Sequence, residues 1–169
     1  MFRKVFYVVP AVALCLLAAT AHAQFEQGDW ELTLAGNGSN DQEFRTYGFN
    51  IQGSLGYFLT RELEVAARQG FGQSDGGSLW NGDTRLVADY HFDMDRLWPY
   101  VGASIGYIYG DFGDNDIAGD QWIAGLEVGA KYFMNSTTFI GLNLGYDFNL
   151  EQGFDQGAFQ YGLALGLKF

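Results

Sequence analysis

Beyond residue 23 the chain holds one histidine, His91, and no cysteine, since His22 and Cys15 both precede that point. Thiolate nucleophiles, thiolate metal ligands and disulfides are therefore excluded from the body of the chain. His91 lies in Asp89-Tyr90-His91-Phe92-Asp93, and nucleophilic or acid–base work would need a hydroxyl or carboxylate partner positioned beside it. No His-x-Ser-Asn arrangement is present, so the imidazole is expected to hydrogen-bond near Asp89, and no enzyme activity or cofactor is expected. Asp111, Asp114, Asp116 and Asp120 form a second candidate, because clustered carboxylates suit calcium or magnesium. Their spacing is not that of an EF-hand: Ala118 replaces the fifth ligand and Gly125 the terminal glutamate. A solvated acidic loop without a resident metal is the expectation. A third group mixes both signs of charge: Glu62, Glu64, Arg68, Arg85, Asp89, Glu127, Lys131, Asp147 and Lys168. Whether these residues meet depends on the elements that carry them.

Those elements have a period of two. Trp30, Leu32 and Leu34 interleave with Glu31, Thr33 and Ala35, the signature of a strand with chemically distinct faces. Seven further segments repeat the alternation, around 47–57, 62–71, 85–92, 100–109, 121–132, 140–148 and 159–169. In the last of these, Phe159, Tyr161, Leu163, Leu165, Leu167 and Phe169 alternate with Gln160, Gly162, Ala164, Gly166 and Lys168. The connections at Thr60-Arg61, Asp93 to Arg96 and Asn135-Ser136 are short. Those at Asn37 to Arg45, Gly72 to Trp80, Gly110 to Asp120 and Glu151 to Gly157 are longer. Alternating short and long connections are what consecutive antiparallel hairpins require, and an even number of strands can close into a barrel with no free edge.

The two faces differ in size as well as polarity. Bulky aromatics and leucines fill one face without a charge among them, while the other mixes Gly and Ala with Asn, Gln, Glu, Arg and Lys. A soluble up-and-down barrel of the lipocalin kind also alternates. However, a glycine-rich face makes a poor soluble exterior and suits a narrow, crowded lumen. The bulky face is therefore expected to meet lipid. Aromatics near both strand ends form two girdles: Trp30, Tyr57, Tyr90, Phe92, Tyr132 and Phe169 at one, and Tyr47, Phe71, Tyr109, Trp122 and Phe148 at the other. The mixed charges, facing inward, are expected to form salt-bridge networks that plug the lumen, with a narrow polar pore as the alternative.

Arg3 and Lys4 precede an apolar stretch from Val5 to Ala19, and Ala21-His22-Ala23 supplies small residues before Gln24. Residues 1–23 are read as a cleaved signal peptide and 24–169 as one barrel domain. Removing Arg3 and Lys4 takes the formal charge from −11 to −13. Such a chain repels nucleic acid, which is not expected as a partner.

The chain resembles the small outer-membrane β-barrels of the OmpX-, OmpW- and OmpA-barrel-like, porin-like kind, over residues 24–169. Two features carry the resemblance. One is the final strand, Tyr161, Leu163, Leu165, Leu167 and terminal Phe169, which looks like the signal that barrel-assembly machinery reads in that family. The other is Pro99-Tyr100-Val101-Gly102-Ala103 leading to Gly106-Tyr107. The resemblance implies an all-β, eight-stranded antiparallel up-and-down transmembrane barrel in the outer membrane of a Gram-negative cell envelope, with both termini and the short turns in the periplasm. It implies contact with outer-membrane lipid and lipopolysaccharide, whose phosphates the acidic loop could bridge through divalent cations, and a monomeric state. No residue follows Phe169, so the peptidoglycan-binding domain of full-length OmpA-like proteins is not expected. The leading functional expectation is a non-catalytic barrel with a structural or surface-interaction role through its loops. A narrow channel for small or apolar solutes is the runner-up, and a lipid A-modifying enzyme comes third.

Overall fold

The computed structural model describes residues 25–40, 47–74, 79–111, 121–151, 154 and 157–169. The proposed signal peptide and the carboxylates Asp114, Asp116 and Asp120 lie outside the described residues, as does the side chain of Asp111.

Eight strands follow one another in the described chain: β1 (Trp30–Asn40), β2 (Tyr47–Phe58), β3 (Leu63–Ser74), β4 (Leu79–His91), β5 (Leu97–Asp111), β6 (Gln121–Phe133), β7 (Thr138–Asn149) and β8 (Gly157–Lys168). Each pairs antiparallel with its neighbour, and β8 returns to β1 with Glu31 opposite Lys168 and Gly36 opposite Leu163. Closure leaves no edge of unpaired N–H and C=O groups, as an environment without water requires. At the seam the two outermost residues exchange backbone bonds, Trp30 N–H to Phe169 O at 2.8 Å and Phe169 N–H to Trp30 O at 2.9 Å. The strands run longer than the alternating pattern suggests, because β1, β3 and β4 continue into the polar stretches read as loops. Ladder pairing there extends to Asn40 opposite Tyr47 and Ser74 opposite Leu79.

The greasy set faces outward. Leu34, Leu86, Leu142 and Leu163 are each at least 60% exposed, and the outward positions of every strand add to one continuous apolar belt. A water-soluble protein does not present a band of this extent. All basic residues among the described ones lie in the lumen or in turns, Arg61 and Arg96 occupying the latter. A polar patch interrupts the belt on β3, β4 and β5, close to the end with the longer connections. There Thr84 Oγ1 donates to Gln69 Oε1 (2.7 Å) and Gln69 Nε2 donates to the Tyr109 hydroxyl (2.8 Å). The three polar groups satisfy one another where the girdle meets the headgroups.

Inside, bulk and glycine are matched across strands. The Glu64 carboxylate occupies the space a Cβ would need at Gly56, Asp83 that at Gly70, Asp89 that at Gly102 and Asp147 that at Gly125; the Phe139 ring does the same over Gly166. The glycines of the inner face are thus seats for a neighbour's long side chain, which is how a barrel this narrow accommodates charge. Gly102→Ala is expected to push Asp89 off its seat and cost about 1–3 kcal/mol, the usual price of overpacking. Gly53→Ala, with nothing within 4 Å of the new methyl, serves as the control. Urea unfolding in detergent, followed by tryptophan fluorescence, separates the two; equal midpoints would refute the seating argument.

Candidate functional site: the barrel lumen

The lumen is built in tiers, starting at the end that carries the short turns 59–62, 92–96 and 134–137. The lowest tier is aromatic. Phe25, from the segment before β1, stands at the axis and is surrounded by Phe58 at the end of β2, Trp98 near the start of β5, Phe133 at the end of β6 and Phe139 near the start of β7. All five are 0–1% exposed. Phe25 stacks on Phe58 with centroids 4.0 Å apart and meets Trp98 and Phe133 edge-on at 5.2 Å. Such offset and T-shaped contacts follow from the ring quadrupole. The backbone of this segment is pinned too, with Gly28 N–H donating to Phe58 O at 2.9 Å.

Lys131 sits directly above, its Nζ 5.3 Å from the Phe25 centroid and 5.4 Å from that of Phe139. It donates to both oxygens of Glu31 (2.7 and 2.6 Å) and to Glu64 Oε2 (2.9 Å). The next tier has Arg68 forked onto Glu127 at 2.7 and 2.9 Å, with Asp89 beside them. In the third, Arg85 bridges Asp83 (2.7 Å) and Asp147 (2.5 Å). Each charged tier contains one cation and two carboxylates and spans the lumen through at least one ion pair between non-adjacent strands: Lys131 (β6) to Glu31 (β1), Arg68 (β3) to Glu127 (β6) and Arg85 (β4) to Asp147 (β7). Neutral side chains of β1, β2 and β7, Thr33, Gln52, Ser54 and Asn143, line one side of a cavity of about 50 Å³ that reaches down to Glu31 and Lys131. A second space of about 40 Å³, lined by Asn50, Gln52, Asn143 and Gln160, adjoins it toward the long connections.

Eight of the nine charges expected to form the network belong to these tiers or the rim. Glu64, Arg68, Arg85, Asp89, Glu127, Lys131 and Asp147 all face the lumen as read from the sequence. Lys168 also faces inward but lies at the rim, where it pairs with Asp29 at 2.7 Å and its Nζ stands 5.9 Å from the Phe25 centroid. Glu62 is a correction. Strand β3 begins only at Leu63, so Glu62 falls in the turn and its carboxylate accepts from Thr60 Oγ1 at 3.2 Å instead of entering the lumen. Two tier members, Glu31 and Asp83, were not among the expected network. The whole aromatic tier was not anticipated either, although the inward parity of Phe58, Trp98, Phe133 and Phe139 was the signal that marks it.

His91 is fully buried beneath Lys131, packed against Phe25, Phe58 and Tyr100. Its Nδ1 faces the Glu62 carbonyl at 3.3 Å and its Nε2 faces Glu64 Oε2 at 3.6 Å. The imidazole thus meets aromatic rings, the Glu62 carbonyl and the Glu64 carboxylate. Among the described residues no group of three or more His, Cys, Asp and Glu is placed to hold a metal ion. The terminal-strand residues Tyr161, Leu163, Leu165, Leu167 and Phe169 all point outward, 49–75% exposed, along the strand that closes the sheet.

A closed, edge-free barrel of eight strands, apolar around its girth and charged within, is an integral β-barrel of an outer membrane. Residues 9–169 match the family described as the outer membrane protein beta-barrel domain, and the chain belongs to that family. Among known proteins, outer membrane porin F of Pseudomonas aeruginosa is 29% identical over 175 residues, covering 91% of this chain and 49% of that protein. The chain therefore spans about half the length of the curated relative it matches. The crystal structure of the N-terminal β-barrel domain of Pseudomonas aeruginosa OprF superposes with a TM-score of 0.65 at 28% identity, covering 85% of this chain and 98% of that one. OprG from the same species gives 0.57 at 15% identity (88% and 99% covered), and Neisserial surface protein A gives 0.56 at 16% (83% and 94% covered). These last two share the fold.

Proposed function

We propose that the protein is a non-catalytic, plugged barrel that acts through the surfaces it offers to the envelope, contributing to membrane integrity or adhesion, rather than as an open conduit. In this reading the long connections face outward from the cell, and the short turns and both termini face the periplasm. The outward residues Tyr161 to Phe169 serve as the recognition strand for barrel-assembly machinery, and lipid and lipopolysaccharide surround a monomer. The observation that carries the reading is the double closure of one end, where the aromatic tier around Phe25 is capped by the Lys131–Glu31–Glu64 triad. A solute descending the lumen would have to break both.

A second reading is favoured by the cavity beside the tiers and the polar space around Asn50 and Gln160 that continues it toward the long connections, and by the kinship to a protein called a porin. It makes the barrel a narrow channel with a gate at the Lys131 tier. Planar-bilayer recording on the refolded protein separates the two. The plugged barrel predicts no steady ion conductance at rest, and sustained unitary currents from the unmodified chain would replace it with the channel.

A further inference from the structure

We propose that the middle tier holds one exchangeable univalent cation against Asp89, either an alkali-metal ion in the cavity or a proton on the carboxylate itself. The tiers differ in how their second carboxylate is satisfied. Lys131 touches both Glu31 and Glu64, and Arg85 touches both Asp83 and Asp147. Arg68 instead spends its two terminal nitrogens on Glu127. Asp89, 4% exposed, is left with a buried Oδ1 that accepts no hydrogen bond. The charges that act on Asp89 are Glu64 and Arg68 on β3 and Glu127 and Lys131 on β6, with the Tyr100 hydroxyl on β5 also coupled to it; Glu127 acts most strongly. An ionised carboxylate withdrawn from water next to a like charge is unfavourable by far more than a surface ion pair could offset.

The surroundings suit a small hard cation. Asp89 lines the same cavity as Thr33, Ser54, Gln52 and Asn143, whose side chains offer neutral oxygens, the donor type that alkali and other hard cations prefer. The cavity leaves room for the water such an ion would keep. Asp89 and Glu127 also flank Gly102 on either side in the ladder, so a single proton shared between the two carboxyl groups would serve the same end. Both occupants cancel the same excess negative charge, and neither depends on whether the lumen conducts.

Linkage provides the test, because anything bound by the folded state alone raises the folding constant with its concentration. Full-length protein, refolded into phosphatidylcholine vesicles, is unfolded in urea at a series of potassium concentrations, with tetramethylammonium holding ionic strength constant, and separately at a series of pH values. Asp89→Asn keeps the shape and removes the charge. Its folding constant is expected to respond less than that of the wild type, by up to about tenfold for each tenfold change in cation activity. A difference in the potassium series identifies an alkali ion, and one in the pH series a proton. Glu127→Gln is expected to lose the same single cation, since Arg68 is then released to pair with Asp89, and it provides the readout should Asp89→Asn fail to fold. Equal slopes for wild type and both variants in both series would overturn the proposal.

Discussion

Lys131→Met is expected to destabilise the barrel by about 3–5 kcal/mol, the cost of leaving buried carboxylates without their counter-charge. Glu31 and Glu64 are 4% and 3% exposed, and their shared cation is the one group that reconciles them. Methionine fills much of the lysine stem's volume, so the packing against Phe25 and Phe139 is largely kept and the loss is electrostatic. The triple variant Lys131→Met, Glu31→Gln, Glu64→Gln tests that attribution. With no ionised group left in the tier, it is expected to recover most of the lost stability, since replacing a whole buried ion cluster with neutral groups is often close to neutral. Urea midpoints of the three proteins in the same detergent decide the matter. A single variant within about 1 kcal/mol of wild type, the range of exposed pairs, would mean that the triad is solvated and does not close the lumen.

The reach of the sequence can be judged from particular residues. Alternation is a property of each strand by itself, so the outward set, Leu142 and Leu165 among it, was legible wherever a strand was recognised. Glu64, Arg68, Glu127 and Lys131 followed by the same parity. Glu62 failed because parity continues on paper after the strand has ended, and only the turn's hydrogen bonds, such as Thr60 to Glu62, show where it stops. Asp83 was missed for the opposite reason, since β4 starts at Leu79, upstream of the point where its pattern becomes regular. Pairing across the barrel was not legible at all. Arg68 to Glu127 and Arg85 to Asp147 join residues about 60 positions apart, and which of several inward charges meet depends on register and on which glycines leave room. The aromatic tier went unread because its rings lie at or beyond the strand ends, outside the alternating sets that were assigned to a face. Tyr57 and Tyr132 belong to the lipid girdle, and their neighbours Phe58 and Phe133 turn inward.

Phe25 shows most plainly what periodicity cannot place, for it precedes the first strand and has no alternating neighbours. It plugs the lumen from the segment that leads into β1. Truncation to alanine removes a ring that contacts Phe58, Trp98, Phe133 and Phe139. A loss of about 3–5 kcal/mol would be usual for a buried phenylalanine. Here the barrel ladder does not pass through residue 25, and water can enter from the rim to fill the space. Phe25→Ala is therefore expected to cost about 1–3 kcal/mol, the lower part of the large-to-small range, while changing the lumen far more. With the ring gone, the closure of that end rests mainly on the Lys131 triad, and brief ion-conducting events are expected in planar bilayers where the parent is silent. Adding Lys131→Met should lengthen them, because the second barrier then goes too. Phe58→Ala makes an informative companion: it removes a ring of the same size from a strand, so it should cost more stability and open the lumen less. Were Phe25→Ala as silent as the parent and Phe58→Ala conducting, closure would belong to the barrel wall, and the amino-terminal segment would be packing without a gate.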